Sequence, residues 1–350
     1  MLQSKAEKHL TDKFVCRAAD AGIRIKRINP GAPLEEQGPF HILLHKINRD
    51  ADWRAQAAAY QERHPEVLLV DAFQAVSRLM SRASMLRPLQ DGGITIQAPK
   101  GTDGLGRIHC CAPRQLSLPE GTSIEQAGSM LQAAGMHPPL IAKPWWTDGR
   151  DASHGLAVVH DLSGLASLLR SSGACNMKLP LVLQQFSEHG GCLFKVYVLG
   201  PAAYMVRRPS LQLPVESKDI RCEASGLQSM ARVSSYHSHT QSGHISDPPG
   251  WFVEGLAAQL RQRLGVSLFN FDLIRPSEAL PCLQDGAGPC GAPCDYLVID
   301  INYFPGYEKL PNYEDIMVEF LRTLVQQQAS GGTYAARPPL AQPQAENGCA

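Results

Sequence analysis

At 350 residues the chain exceeds one typical domain, and with 44% hydrophobic residues it has the apolar material for two or three compact units. Lys and Arg number 33, as do Asp and Glu, so the formal net charge is zero and no global field draws the chain to nucleic acid or to an acidic membrane surface. No run approaches the ~18 apolar residues of a membrane span. The start, M-L-Q-S-K-A-E-K-H-L, has no apolar signal core, so a cytoplasmic or nuclear rather than secreted location is expected, with the ten cysteines as free thiols.

Taken in order, the chain opens on a helix from Ser4 to Ala21, with Leu10, Phe14 and Ala18 at helical spacing and Gly22 as its stop. Short strands are expected at Ile23 to Ile28 and His41 to Lys46. A helix from Trp53 to Arg63, a buried strand from Val67 to Val70 and a helix from Ala72 to Met80 follow. This order suits a small α/β layer whose first strand is missing. Ser84 to Leu89 continues a helix, and the flanking D-G-G and G-T-D-G-L-G mark loops. Ile124 to Ala134 reads as a helix, Leu140 to Lys143 and Ala157 to His160 as strands, and Leu162 to Arg170 as a helix. Leu181 to Phe186, Leu193 to Leu199 and Ala203 to Val206 are strands. Residues 209–249 are polar and read as a long surface connection. Trp251 to Leu264 is a helix, Leu268 to Ile274 a strand and Tyr313 to Gln328 a helix, and the remaining tail reads as disordered. Cys282, Cys290 and Cys294 lie close together without a C-x-x-C pair, which reads as a loop insertion in preference to a zinc site.

The strongest chemical signal is Y-L-V-I-D-I-N-Y-F-P-G-Y, from Tyr296 to Tyr307. Strand alternation sends Leu297, Ile299 and Ile301 to a core and places Val298, Asp300 and Asn302 together on the other face. L-F-N-F-D-L-I carries Asp272 in its middle, and antiparallel pairing of the two runs sets Asp272 beside Asp300. Two acids and an amide make an oxygen-only set, which magnesium prefers when it also holds phosphates. Taken singly, each acid also reads as a strand end, but buried acids without a cation are costly.

Lys143 stands at the edge of the loop T-D-G-R-D-A-S-H-G, an arrangement suited to nucleotide phosphates, although a solvated strand end reads equally well. Gln184 and Gln185 in L-V-L-Q-Q-F-S suit an adenine edge or the outward side of an edge strand. Lys195 interrupts L-F-K-V-Y-V-L and needs an anion within reach, and Arg207, Arg208 and Ser210 form a cationic corner.

These segments, I-A-K-P, S-H-G-L-A, L-Q-Q-F, F-K-V-Y-V-L-G, R-R-P-S-L, F-N-F-D-L-I and V-I-D-I-N-Y-F-P-G-Y, resemble the inositol trisphosphate 5/6-kinase and tetrakisphosphate 1-kinase family. P-L-E-E-Q-G-P-F-H-I-L-L-H-K and S-R-A-S-M-L resemble its plant-type members. The resemblance implies an α/β (α+β) ATP-grasp fold with ATP held between two antiparallel sheets. It implies an N-terminal α/β domain at 1–84, a central domain at 85–186, a C-terminal domain at 187–328 carrying the metal site, and a disordered tail at 329–350. It assigns ATP to Arg82, Lys143, Gln184, Gln185, Phe186 and Ser210. Two Mg²⁺ ions fall to Asp272, Asp300 and Asn302. The inositol polyphosphate falls to Lys5, His154, Lys195, Asn302 and Gly306, and Lys195, Asp300 and Asn302 would carry the catalysis. The family resemblance also implies a monomer. Relative to the family pattern the chain starts late, with Ser4 where a lysine is usual. Two rival functions stay open at this point, an ATP-grasp carboxylate-amine ligase and a non-catalytic inositol phosphate binder.

Overall fold

The computed structural model describes residues 10–46, 50–90, 92–101, 106–147, 155–170, 177–213, 222–224, 226–230, 245–278, 280–281 and 293–329. The first described helix, α1 (Asp12–Asp20), is capped by the Thr11 hydroxyl, which accepts from Phe14 N. Strand β1 (Ile42–Leu44) pairs in parallel with β2 (Leu68–Val70) across helix α2 (Ala51–Arg63), and Leu43, Trp53, Ala57 and Tyr60 form a small core of their own. The expected strand at Ile23 to Ile28 does not form. Ile23 and Ile25 rest against the main core and Ile28 against the small one, but the segment lies outside any ladder. A short helix, α3 (Phe73–Ser77), follows.

Two six-stranded sheets dominate the rest. In chain order their elements are β3 (Ile94–Gln97), β4 (Arg107–Cys111), β5 (Gln115–Leu118), α4 (Ile124–Ala133), β6 (Leu140–Pro144), β7 (Leu156–Val159), α5 (Leu162–Arg170) and β8 (Leu181–Gln185). Then come β9 (Cys192–Leu199), β10 (Ala202–Pro209), β11 (Cys222–Ala224), β12 (Leu227–Met230), α6 (Gly250–Leu264), β13 (Leu268–Ile274), β14 (Leu280–Pro281), β15 (Pro293–Cys294), β16 (Tyr296–Tyr303) and α7 (Tyr313–Ala329). The first sheet has the order β10-β9-β13-β16-β4-β3 and the second β11-β12-β7-β6-β8-β5. Both are antiparallel except where β4 runs parallel to β16. The span 85–186 thus contributes strands to both sheets. β3 and β4, on either side of G-T-D-G-L-G, have no counterpart among the expected elements, and R-I-H-C-C carries little β-branched content to betray a strand. Cys222–Ala224 and Leu227–Met230, expected within a long surface connection, add two strands to the second sheet's edge.

Each sheet buries one face under helices. Phe252, Leu256 and Leu260 of α6, Phe320 and Leu321 of α7, and Phe14 of α1 cover the first, against Phe269, Phe271, Val298 and Ile301. Ala127 and Leu131 of α4, with Leu165 and Leu168 of α5, cover the second, against Leu140, Ala142 and Leu183. Ser123 and Gln126 close a reciprocal capping box at the start of α4. Gly164 lets α5 lie directly on the turn before β12, since a Cβ there would fall 1.8 Å from Gly226 O.

Two expectations need correction. The β13–β16 register shifts between Asp272 and Leu273, leaving Ile299 as a bulge, so strict alternation fails. Val298 and Ile301 both enter the helix-covered core, whereas Leu297 and Ile299 lie with Leu193 and Ile274 on the opposite face. The cysteines are not all free thiols, because Cys111 and Cys294 form a disulfide. Sequence spacing could not suggest it, since the partners are separated by 183 positions and meet only because β4 lies beside β16. Cys282, Cys290, residues 148–154 of the loop that includes His154, the region around Ser234 and the tail beyond Ala329 lie outside the described residues. Among the described residues, no helix is long and apolar enough to cross a membrane.

Candidate active site

The uncovered face of the first sheet carries a row of charges. Asp272 on β13 sits opposite Asp300 on β16 and opposite Lys195 on β9, so one register line places the ammonium and both carboxylates side by side. Lys195 Nζ donates to Asp272 Oδ1 in a close ion pair. The same face holds Asn270 opposite Asn302. The motif N-x-D on one antiparallel strand therefore meets D-x-N on the other, acid against acid and amide against amide. Each amide donates to its own strand's acid: Asn302 Nδ2 to Asp300 Oδ2 at 2.8 Å and Asn270 Nδ2 to Asp272 Oδ1 at 3.4 Å. Asn270, 1% exposed, is a member that the sequence reading missed, although its offset of two from Asp272 was visible.

The second sheet supplies the opposing wall. Lys143 on β6 is 7% exposed and its Nζ donates to Ile299 O at 3.0 Å, gripping the bulge that precedes Asp300. Arg82, from the segment after α3, donates from Nη1 to Pro144 O at 2.8 Å and Trp146 O at 3.3 Å. Its Nε lies 4.0 Å from Asp300 Oδ1. Gln184 is 3% exposed, and its Oε1 has no hydrogen-bond partner among the described residues. It lies on β8 opposite Ile141, and Ile141, Val158, Phe186 and Leu211 pack together as an apolar floor.

Electrostatics separates the two acids. Burial raises the Asp272 carboxyl above the usual carboxylate range, against the pull of Lys195. At Asp300 burial acts the same way but is overcome by Arg82 and Lys143, which hold it below that range. Burial pushes the Lys143 ammonium down to about 8, with Asp300 opposing. For Lys195 the attraction of Asp272 outweighs burial and the ammonium is raised.

Not every expected residue faces this cleft. Gln185 turns away, with Oε1 accepting from His137 N at 3.1 Å and Nε2 donating to His137 O at 2.7 Å. Strand alternation sends neighbouring glutamines to opposite faces. Ser210 is 2% exposed, and its hydroxyl is hydrogen-bonded to His189 Nε2 at 2.8 Å. Gly306 has φ −71°, which any residue adopts, while the left-handed residue of the turn is Phe304 at φ 40°. Lys46 Nζ donates to Phe304 O and fixes that turn, a contact with no counterpart in the sequence reading. Lys5 and His154 lie outside the described residues.

A divalent cation suits this donor set. Asp272, Asp300 and Asn302 offer only oxygen ligands, and two carboxylates directly opposite repel unless positive charge joins them. Asp300 Oδ1 is buried with Arg82 Nε 4.0 Å away and accepts no hydrogen bond among the described residues, so it keeps lone-pair capacity for a cation.

Comparison with known proteins shows the family. Residues 106–323 match the inositol 1,3,4-trisphosphate 5/6-kinase ATP-grasp domain, and residues 1–76 match that family's pre-ATP-grasp domain. The chain belongs to the inositol 1,3,4-trisphosphate 5/6-kinase family. It is an ATP-dependent inositol phosphate kinase. Among its relatives, inositol-tetrakisphosphate 1-kinase 5 of Oryza sativa subsp. japonica is 36% identical over 333 residues, covering 92% of this chain and 87% of that one. Inositol-tetrakisphosphate 1-kinase 1 of Zea mays is 35% identical over 336 residues, covering 93% and 88%. Among solved structures, D-alanine–D-alanine ligase from Bacillus anthracis has TM-score 0.50 at 12% identity, covering 95% of this chain and 97% of that one, a likeness of fold alone.

Proposed function

We propose that this site transfers the γ-phosphoryl group of ATP to a free hydroxyl of an inositol tris- or tetrakisphosphate, in phytate metabolism, and that the residues named above divide the work between the two sheets. The observation that carries the reading is the register line Lys195–Asp272–Asp300 on one wall, facing Lys143 and Arg82 on the other. ATP enters between the sheets with its base over Ile141, Val158 and Leu211 and its edge read by Gln184 Oε1, whose missing partner is an adenine amino group. Lys143 and Arg82 meet the phosphates.

Asp272, Asp300 and Asn302 would hold Mg²⁺, two ions as the family resemblance implies, and bound Mg²⁺ would neutralise charge on the transferring phosphate. The chain's own residues position the reactants and supply fixed positive charge, which is most of what a loose phosphoryl-transfer transition state requires. Lys195 stands at the acceptor end, where its ammonium meets an inositol phosphate and keeps Asp272 from recoiling against Asp300. Arg208, whose Nε is buried with no hydrogen-bond partner among the described residues, lies two positions along β10 on the same face and adds a second cation.

Incubation with γ-labelled ATP, Mg²⁺ and a panel of inositol phosphates tests this reading. Label in inositol phosphate supports it. ATP turnover that requires a carboxylate and an amine, with label appearing only as inorganic phosphate, would replace it with a ligase. Binding of inositol phosphate without ATP turnover would leave a non-catalytic binder.

A further inference from the structure

On the same first sheet, beyond the acid pair, lies a cluster of the opposite chemical character. His109 and Cys111 are two positions apart on β4 and so share a face, and Cys294 ends β15 against them. All three are buried, and their imidazole nitrogen and two sulfurs lie within 4.8 Å of one another. His109 Nδ1 is hydrogen-bonded to Thr95 Oγ1 at 2.8 Å, and its backbone N–H donates to Asp295 Oδ2 at 2.7 Å. Gly93 closes the wall so tightly that a Cβ there would stand 3.0 Å from His109 Cε1 and 3.1 Å from Cys111 Sγ.

We propose that His109, Cys111 and Cys294 form a second metal site, selective for a soft divalent ion such as Zn²⁺, which opens when the Cys111–Cys294 disulfide is reduced. Two thiolates and an imidazole are the ligand types zinc prefers. Metal-bound histidines are commonly held in orientation by a hydrogen bond to a neighbouring group, as the Thr95 hydroxyl holds His109. The oxygen-only pair Asp272 and Asp300 selects a hard ion, so the two sites would not compete for the same metal.

The chemistry balances with a dithiol as reductant. It gives two electrons and two protons to the disulfide and becomes a disulfide itself, leaving two cysteine thiols. Zn²⁺ then displaces both thiol protons to solvent, and water takes the fourth position. The sulfurs part from bonding contact to about 3.8 Å, the tetrahedral spacing for Zn–S bonds of about 2.3 Å. Because Cys111 lies opposite Leu297, three residues ahead of Asp300, either state fastens β4 to the start of the strand that carries the acid.

The full chain, oxidised or reduced with dithiothreitol and desalted without oxygen, is titrated with Cd²⁺ while the thiolate-to-metal charge-transfer absorption is followed, and with Zn²⁺ against a chromophoric chelator. The reduced chain is expected to bind one equivalent that the oxidised chain does not. Cys111→Ser and Cys294→Ser should lose the absorption. His109→Gln, which keeps both sulfurs and so guards against a folding artefact, should weaken Zn²⁺ binding about tenfold or more. No binding by the reduced chain, equal binding by both forms, or an unchanged affinity in His109→Gln would overturn the site and leave a structural disulfide only.

Discussion

The two six-stranded sheets have similar architecture, each covered by helices on one face and open on the other, yet their open faces do opposite things. The first presents Lys195, Asp272, Asp300, Asn270 and Asn302 in two register lines. The second presents an apolar floor with polar groups, Lys143 and Gln184 among them, set into it. An array of charges can hold phosphates and a cation but offers little to a flat heteroaromatic ring, while an apolar floor does the reverse. Reaction at the seam therefore needs both, and Lys143 joins them by binding the bulge carbonyl of Ile299 across the cleft.

The comparison is broken most severely from the first sheet. Lys195→Ala should lower kcat/KM for inositol phosphate on the order of 10³-fold, while KM for ATP stays within a few-fold, because a charge-stabilising group is lost on the acceptor side alone. It should also cost about 3 kcal/mol of stability, since Asp272 is left buried without its partner. Steady-state kinetics with each substrate varied in turn and denaturant melts check both parts. Equal effects on the two substrates would contradict the division between sheets.

A second break lies where the first sheet is braced from outside. Asp71, 1% exposed, accepts from Ser267 N at 2.9 Å and Leu268 N at 3.2 Å at the start of β13. Burial nevertheless pushes its carboxyl up to about 6 from 3.8. The folded state then binds more protons than the unfolded state between those values, so this group's contribution falls as pH rises from about 4 to about 6 and is level above that. The expected loss is about 3 kcal/mol. Urea melts across that window should show the slope in the wild type and a flattened one in Asp71→Asn, and identical slopes would remove Asp71 as the cause.

The smallest effects sharpen the second sheet. Gln184→Ala should raise KM for ATP about tenfold, as expected for one lost hydrogen bond in a buried site. Gln185→Ala should leave KM for ATP unchanged and cost about 1 kcal/mol of stability through its contacts to His137. Kinetics that distinguish neighbouring glutamines in this way would confirm that only one faces the cleft.

Much of the first sheet's face was legible because a polar residue inside an apolar strand has few explanations, as at Asp272, Asp300 and Lys195. Their pairing followed from antiparallel packing of the two apolar runs that carry the acids. Asn270 was equally visible but passed over, since an amide beside an acid draws less attention than a charge. What was hidden depended on register or on distant partners. The bulge at Ile299, which reverses the faces expected for Leu297, Val298 and Ile299, arises between strands and has no signature in either alone. The Cys111–Cys294 pair required knowing that β4 lies beside β16. The outward turn of Gln185 could have been read from alternation, had the pair been treated as two faces instead of one motif.

The central claim is that the facing acids on β13 and β16 hold the cation that accompanies phosphoryl transfer. Its most direct test is binding of Mn²⁺ in the presence of ATP, followed by electron paramagnetic resonance, in the wild type and in Asp300→Asn, with label transfer from γ-labelled ATP to inositol tetrakisphosphate measured on the same samples. The account predicts bound Mn²⁺ and transfer in the wild type, and loss of both in a variant that stays folded. Undiminished Mn²⁺ binding and transfer in Asp300→Asn would contradict it.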